Sequence, residues 1–299
     1  MNKLKEMTYL PWWWLRTRLG RHAPLQSVVF VSDRCNLSCK HCSIYNHKNP
    51  TSKTMVQLRE ELQYCYNLGS RYVDFEGGEP FLWRDGDKDI NDLCDLARSL
   101  GFFSCTITTN AQMPFDGTRA DSIWVSMDGV GEVHDRVRGE GAFARLEANI
   151  ATCGCKALSA NMVVNTLNHD GVRDAMEYVA HSPYFKLISF NFHTPFPGTE
   201  YLTPDHETRN LVIDLILEGK RQGLPIMNSR TGLNRMRYMK FRKCCWMTNF
   251  VFTDGTRKDQ CIGAEMGICD RCGFCMAGEE SAVVSLAPDT ILAGLRLRG

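Results

Sequence analysis

Three cysteines near the start of the chain have the type and spacing of metal-cluster ligands. Cys35, Cys39 and Cys42 form a C-x3-C-x2-C run in a loop that follows an apolar stretch. Thiolates are the usual ligands of a [4Fe–4S] cluster, which has four irons. Three thiolates leave one iron open, and an open iron can bind a small molecule and pass it an electron. The run therefore predicts redox chemistry rather than a structural clip.

Two other uses of these cysteines stay open at this point. A C-x2-C pair in an intracellular protein is often a zinc site or a redox-active pair. A non-catalytic zinc or iron–sulfur scaffold that binds a partner would also need such residues.

A glycine-rich turn follows the second predicted strand. Residues 75–80 read FEGGEP. Gly77 and Gly78 permit close backbone approach and positive φ, and Pro80 stiffens the exit from the turn. The motif alone fits an ordinary strand-to-loop turn. One strand after the cysteine run, it indicates part of a functional site.

Together these motifs resemble the radical S-adenosylmethionine (SAM) superfamily. The shared features are C-x3-C-x2-C after a first strand, an aromatic residue (His41) before the last cysteine, and GGEP after the second strand. The resemblance implies a [4Fe–4S] cluster at Cys35, Cys39 and Cys42 whose open iron chelates the amino and carboxylate groups of SAM. One electron from a low-potential donor such as flavodoxin or ferredoxin would cleave the sulfonium to a 5′-deoxyadenosyl radical. That radical would abstract hydrogen from a substrate or add to its double bond.

The same resemblance implies which residues hold SAM. Gly77, Gly78 and Glu79 would hold its amino group. Ser126 and Arg138 would bind its carboxylate, since a guanidinium suits a carboxylate bidentately.

The segment HDRVRG at 134–139 resembles the H-D-x-x-R-G segment of radical enzymes that carry auxiliary clusters. Other polar residues at strand ends are expected to contact the cofactor, with Asp128 or Asn165 facing the ribose. Any one of them could instead be a polar strand end that faces water. The full set of these further contacts is His41, Thr109, Asn110, Asp128 and Asn165.

His193 is the candidate for a catalytic side chain. It follows the sixth predicted strand, in a loop with two prolines and a glycine. An imidazole there could contact the substrate or transfer a proton. A lone histidine at a strand end is more often a hydrogen-bonded structural residue, so both uses stay open.

A second group of cysteines near the end of the chain predicts a second metal centre. Two tandem C-x2-C steps resemble the thiolate run of iron–sulfur ferredoxins. Four of these cysteines could also form a tetrahedral zinc site. The segment resembles the SPASM/twitch extensions of radical SAM enzymes, and the whole layout is similar to hopanoid-type (adenosylhopane synthase-like) members. The candidate ligands are Cys245, Cys261, Cys269, Cys272 and Cys275.

Alternating strands and helices position these residues. Short β-rich runs are predicted at 27–31, 72–75, 104–108, 122–127, 159–165 and 187–191. Helical patterns separate them at 55–68, 90–100, 142–153, 172–181 and 206–222. This alternation predicts an α/β fold with a parallel sheet, a partial (β/α)6 TIM-like barrel, whose site lies at the carboxyl ends of the strands. The third helix is expected to shrink to a turn, because twelve residues with a proline and a glycine hardly hold a crossover helix.

Composition bounds the organisation and the partners. The chain has 299 residues, a formal net charge of +1 and 14 cysteines. Balanced charge gives no sign of a nucleic-acid partner. No apolar run approaches the roughly 20 residues of a membrane span, and no signal peptide is visible, which predicts a cytoplasmic protein. The expected division is an N-terminal segment 1–25, a barrel 26–230 and a small cysteine-rich module 231–299.

The N-terminal segment bears on the substrate. Three successive tryptophans, Trp12 to Trp14, stand near Arg16, Arg18 and Arg21. They fit either a helix that closes the barrel or peripheral contact with the inner face of a membrane. The membrane contact would suit a lipid or isoprenoid substrate. The alternative is a peptide or a small cofactor precursor.

Overall fold

The computed structural model describes residues 3–42, 49–155 and 157–296. Its centre is a sheet in which six parallel strands lie side by side in chain order. The strands are β1 (Gln26–Phe30), β2 (Tyr72–Glu76), β3 (Ser104–Thr109), β4 (Ser122–Ser126), β5 (Leu158–Val164) and β6 (Phe185–Phe192). The predicted α/β fold with a parallel sheet is confirmed.

Helices connect the strands and flank the sheet. Several begin at side-chain caps; Thr54, for example, forms a capping box with Gln57. Between β3 and β4, residues 110–121 form no helix, as the short connection predicted. The helices are α1 (Lys3–Arg18), α2 (Met55–Leu68), α3 (Ile90–Leu100), α4 (Glu132–Arg138), α5 (Ala142–Thr152), α6 (Val172–His181), α7 (His206–Arg221), α8 (Arg230–Tyr238), α9 (Ile262–Glu265), α10 (Cys275–Val284) and α11 (Pro288–Arg296).

The two faces of the sheet differ in burial. Along β2, Val73 and Phe75 are buried in the same apolar core as Leu58 and Leu62 of α2. The alternate residues of β2, β3 and β4 are half-buried and mostly polar. Since side chains alternate between faces along a strand, the sheet has an apolar outer face under the helices and a polar inner face.

The C-terminal segment continues the same sheet. Strand β7 (Thr248–Val251) pairs in parallel with β1, and β8 (Arg257–Lys258) returns antiparallel to β7. The turn between them has Gly255 at φ 83°, a backbone conformation that favours glycine. Helix α10 packs against α8 and β6. The domain boundary at residue 231 stays a prediction, and the segment beyond it shares the barrel's sheet.

Helix α1 packs across the amino ends of the strands. The Tyr72 hydroxyl donates to Glu6 at 2.5 Å, and Trp13 is 3% exposed, with its Nε1 donating to Ala23 O at 2.8 Å. Trp14 Nε1 donates to Val284 O at 3.3 Å. These contacts favour a helix that closes the barrel, and they leave Trp12 as the exposed tryptophan of the three. Within the described residues, no helix combines the length and apolarity that crossing a membrane requires.

Candidate active site

The loop that carries Cys35, Cys39 and Cys42 is attached to the end of β2. Val31 N–H donates to Glu76 O at 2.9 Å, which extends the β1–β2 pairing by one residue. The glycine turn continues the contact, because Gly78 N–H donates to the Ser32 carbonyl at 2.8 Å. All three thiols are half-buried, and none of them forms a disulfide.

Gly77 and Gly78 allow this attachment because they lack a side chain. A Cβ on Gly77 would lie 2.2 Å from Ser32 O, and a Cβ on Gly78 would lie 2.2 Å from Arg34 O. Gly77 also has φ +149°, which L side chains rarely adopt. The glycines therefore seat the backbone of the cysteine loop. Their predicted contact with the SAM amino group stays a prediction.

Glu79 ties the glycine turn to the end of β3. Its carboxylate accepts from Thr109 Oγ1 at 2.8 Å, Asn110 N at 2.8 Å and Phe81 N at 3.1 Å. Burial raises the pKa of Glu79 to about 7, although these hydrogen bonds oppose the rise. All three hydrogen bonds are made within the protein. Glu79 therefore positions the end of β3 against the glycine turn, a role that the sequence did not reveal.

Asn110 lies directly against the cysteine loop. Its Nδ2 is 3.6 Å from Cys35 Sγ and donates to Asn36 Oδ1 at 2.8 Å. Thr109, one residue earlier, is 1% exposed and uses its hydroxyl on Glu79. Of these two predicted SAM contacts, Asn110 lies against Cys35, whereas Thr109 contacts the cysteine loop only indirectly, through Glu79 and Asn110.

A buried ion pair stands on the other side of the loop. Arg138 Nε donates to Asp128 Oδ2 at 2.7 Å, and Arg138 Nη1 lies 3.9 Å from Cys39 Sγ. Burial acts to raise the pKa of Asp128, but the Arg138 guanidinium, the two neighbouring histidines and the Val163 N–H together hold that pKa below its ordinary value. Helix α4 also accepts a hydrogen bond from the loop, from Lys40 N to Val137 O at 3.0 Å.

Two histidines adjoin this pair. His41 Nε2 lies 3.6 Å from Asp128 Oδ2. Burial lowers the pKa of His41 to about 4, against the pull of Asp128, so the ring is neutral near pH 7. His134 Nδ1 accepts from Asp128 N at 3.1 Å, which assigns the proton to Nε2. Within the described part of the chain, His41 Nδ1 and His134 Nε2 are buried without a hydrogen-bond partner.

The two remaining predicted SAM contacts differ in placement. Ser126 ends β4 and is half-buried on the inner face. Asn165 is fully buried after β5, where its Oδ1 accepts from Leu167 N at 2.8 Å and its Nδ2 donates to Val163 O at 3.1 Å. The side chain of Asn165 thus orders its own loop, and its contact with a ribose stays a prediction.

His193 lies at the same mouth but is engaged by its own loop. It is 3% exposed, and its Nε2 lies 3.0 Å from Thr199 O and 3.1 Å from Thr199 Oγ1. Burial lowers the pKa of its ring. The charge of His193 is the last of several contributions to the pKa of His41 and lowers it. These contacts describe a structural role, and a catalytic one stays a prediction.

The C-terminal cysteines form a second group of neighbours. Burial raises the pKa of the Cys245 thiol to about 12, and Glu280 together with the thiols of Cys261, Cys272 and Cys269 adds to the rise. Burial also raises the pKa of the Cys261 thiol, and the charges of Cys269 and Glu280 add to that rise. Glu280 is itself buried, and burial raises its pKa to about 8 while its carboxyl accepts from Thr248 Oγ1 at 2.8 Å.

Cys275, the last cysteine of the C-terminal run, and Cys244, which directly precedes Cys245, are the most deeply buried cysteines of this region. Cys275 is 1% exposed, and its N–H donates to Asn191 Oδ1 at 2.8 Å. Cys244 is 3% exposed and packs with Trp13 and Met247. Cys275 therefore faces the barrel strand β6, and Cys244 belongs to the contact with α1.

The C-terminal run docks on the carboxyl end of β6. Phe192 N donates to Gly273 O at 2.8 Å, and Gly273 N donates to Thr194 Oγ1 at 3.0 Å. A Cβ on Gly273 would lie 2.0 Å from Phe192 O, so only glycine allows this approach. The loop of Cys35, Cys39 and Cys42 and the C-terminal run at Gly273 thus both stand at the carboxyl ends of barrel strands.

The residues at this mouth fit the cluster and the SAM that the motifs imply. Three thiols lie on one loop, and N–H donors of Asn110 and Arg138 lie next to Cys35 and Cys39. Among the described residues, buried His41 Nδ1 has no hydrogen-bond partner and could bind a polar group of a ligand. In residues 3–42, 49–155 and 157–296, no three His, Cys, Asp or Glu side chains are grouped to hold one metal ion. A four-iron cluster takes one thiolate per iron, so its ligands stand farther apart than those of a single ion.

Comparison with known proteins agrees with this site. A family model described as Radical SAM superfamily matches residues 29–179. Fe-coproporphyrin III synthase of Methanosarcina barkeri is 27% identical over 217 residues, covering 67% of this chain and 50% of that protein. The PqqA peptide cyclase of Xanthomonas euvesicatoria is 35% identical over 95 residues, covering 29% and 23%. The chain spans about half the length, or less, of such curated relatives.

Solved structures share the fold over nearly the whole chain. SuiB of Streptococcus suis bound to S-adenosylmethionine superposes with a TM-score of 0.66 at 17% identity, covering 94% of this chain and 70% of that one. SuiB has also been solved with its precursor peptide SuiA, with a TM-score of 0.64, the same identity, and coverage of 94% and 69%. The resemblance to hopanoid-type enzymes gains no support from these proteins.

Proposed function

Because this chain belongs to the radical SAM superfamily, we propose that it cleaves SAM reductively at a [4Fe–4S] cluster held by Cys35, Cys39 and Cys42. When bound, the cluster and SAM supply one electron and a sulfonium whose cleavage yields methionine and a 5′-deoxyadenosyl radical. The family match also favours an enzyme over a non-catalytic scaffold. The observation that carries the proposal is the attachment of the cysteine loop to the glycine turn by backbone hydrogen bonds.

The protein's own groups hold this reaction in place. Asn110 and Arg138 direct N–H donors toward Cys35 and Cys39, where hydrogen bonds to cluster sulfurs stabilise added negative charge. A guanidinium has five N–H donors, and the two contacts of Arg138 described above leave others for the SAM carboxylate. The neutral ring of His41 has a buried nitrogen, Nδ1, without a hydrogen-bond partner among the described residues, and this atom could contact bound SAM.

We further propose that Cys245, Cys261, Cys269 and Cys272 hold a second iron–sulfur cluster. Cys261, Cys272 and Cys269 all raise the pKa of Cys245, Cys269 raises that of Cys261, and Cys261 raises that of Cys272, which supports their closeness. The sequence also offered Cys275, which is 1% exposed and whose N–H donates to Asn191 Oδ1; its place as a ligand stays a prediction. Zinc is the alternative occupant of the same four thiols.

The substrate class that we propose is a peptide. The PqqA peptide cyclase is a relative, and SuiB, whose fold covers the C-terminal segment of this chain as well, has been solved with a precursor peptide. A small cofactor precursor is the competing class, since Fe-coproporphyrin III synthase also matches. A lipid or isoprenoid substrate would need membrane contact, for which Trp12 and Leu15 are exposed on α1.

A comparison of added substrates tests the class. Reconstituted, dithionite-reduced protein with SAM would receive a random-sequence peptide library, iron coproporphyrin III, or isoprenoid-containing anionic liposomes. We expect the peptides to accelerate 5′-deoxyadenosine formation and to yield products of altered mass. Acceleration by the porphyrin or the liposomes alone would contradict the peptide class. Liposome flotation of wild type against Trp12→Ala reports separately on membrane contact.

A further inference from the structure

Arg209 on α7 carries a buried positive charge beside the C-terminal cysteines. The side chain is 9% exposed, and its Nη2 donates to the Cys272 carbonyl at 2.8 Å. The guanidinium carbon lies 4.9 Å from the centre of the Phe192 ring. Within the described residues, Arg209 Nε is buried without a hydrogen-bond partner. A charge with an open donor in such a place calls for a compensating anion.

The neighbourhood offers that anion through the thiols. No carboxylate lies within ion-pair distance of Arg209 among the described residues. The hydrogen bond from Arg209 Nη2 to the Cys272 carbonyl holds the guanidinium against one of the four proposed ligand residues. A cluster bound by thiolates would bring fixed negative charge to this spot. The guanidinium would then oppose that charge across a short, water-poor distance.

We propose that Arg209 is a positioning residue that sets the reduction potential of the C-terminal cluster. This inference rests on the second cluster proposed above. Reduction adds one negative charge to a cluster, and a nearby positive charge stabilises the reduced form, which raises the potential. The hydrogen bond from Arg209 to the Cys272 carbonyl also holds the charge against one of the ligating residues.

The test isolates the C-terminal centre in the full-length chain. Cys35, Cys39 and Cys42 are all replaced by Ala, the protein is reconstituted with iron and sulfide, and a potentiometric EPR titration follows its reduction. Arg209→Met and Arg209→Gln both remove the charge, and the glutamine keeps an N–H donor for Cys272. Arg209→Lys keeps the charge. Arg221→Met, at the exposed end of the same helix, is the matched control.

We expect Arg209→Met and Arg209→Gln to titrate at more negative potentials, with Arg209→Lys and Arg221→Met close to the parent. If the methionine variant fails to retain iron, the glutamine variant gives the answer. Neutral variants that keep their iron and titrate at the parent potential would overturn the inference while the second cluster stands. A parent that binds no redox-active iron would instead overturn the second cluster, and the inference with it.

Discussion

The Nε atom of Arg138 lies 2.7 Å from Asp128 Oδ2, and the two side chains are only 8% and 0% exposed. The pair joins the end of helix α4 to the end of strand β4. It also leaves Arg138 Nη1 at 3.9 Å from Cys39 Sγ. Arg138, which the sequence offered for binding the SAM carboxylate, is thus held in place by Asp128, which was offered for contact with the ribose.

Breaking this pair on one side should destabilise the fold. Arg138→Met leaves Asp128 buried without its cation, which costs about 3–5 kcal/mol in the free energy of unfolding. Arg136→Met removes an exposed partner of Asp170 from the same helix and should cost at most about 1 kcal/mol. Urea unfolding of the metal-free variants measures both. Similar losses from the two substitutions would argue against a structural role for the buried pair.

The glycine turn should be essential for iron at the first cluster. Gly78→Ala places a Cβ 2.2 Å from Arg34 O. Because Gly78 does not have a positive φ, the substitution tests this steric contact without backbone strain. Gly294→Ala, also without positive φ, meets no atom within 4 Å and is the control. We expect Gly78→Ala to lower iron incorporation at the first cluster, measured with the C-terminal cysteines replaced by Ala. Full iron incorporation in Gly78→Ala would show that the backbone contact is dispensable.

Buried Glu279 should make the metal-free protein less stable as the pH rises. Burial raises its pKa from 4.5 to about 7, while its carboxyl accepts from Ser229 N at 2.8 Å. Between these values the folded state keeps a proton that the unfolded state has lost. The stability from this group is therefore full below pH 4.5 and lost by about pH 7, an effect of about 3 kcal/mol.

Glu279→Gln removes this titration and keeps an acceptor for Ser229. Its unfolding free energy should fall less steeply between pH 4.5 and 7 than that of the wild type. Some slope should remain, because burial also raises the pKa of Glu280 and Glu79. Denaturant unfolding at a series of pH values measures the difference, and equal slopes in the two proteins would refute the assignment to Glu279.

The sequence predicted the barrel well because its signals are local. Strands and helices alternate with clear hydrophobic periods, and the motifs at residues 35–42 and 75–80 mark two adjacent strand ends. It did not predict that β7 would join β1, because a four-residue strand carries little pattern and its partner lies far away along the chain.

Side-chain partners were the harder part of the site. Family resemblance offered Glu79 and Asn165 as SAM contacts, which stay predictions; the structure adds that each accepts a hydrogen bond from nearby backbone. No sequence signal marks Arg209, since a lone arginine on an amphipathic helix usually faces solvent. Its burial follows from the docking of the Cys272–Gly273 segment at the end of β6, a tertiary contact that no short motif records.

Cleavage of SAM by purified protein tests the central claim most directly. The protein would be reconstituted anaerobically with iron and sulfide, reduced with dithionite and given SAM, and 5′-deoxyadenosine would be quantified. We predict product from the wild type and from Cys153→Ala, whose buried thiol lies outside both cysteine groups. Cys35→Ala, Cys39→Ala and Cys42→Ala should each yield none. Product from any of these three at the wild-type rate would contradict the assignment of the catalytic cluster.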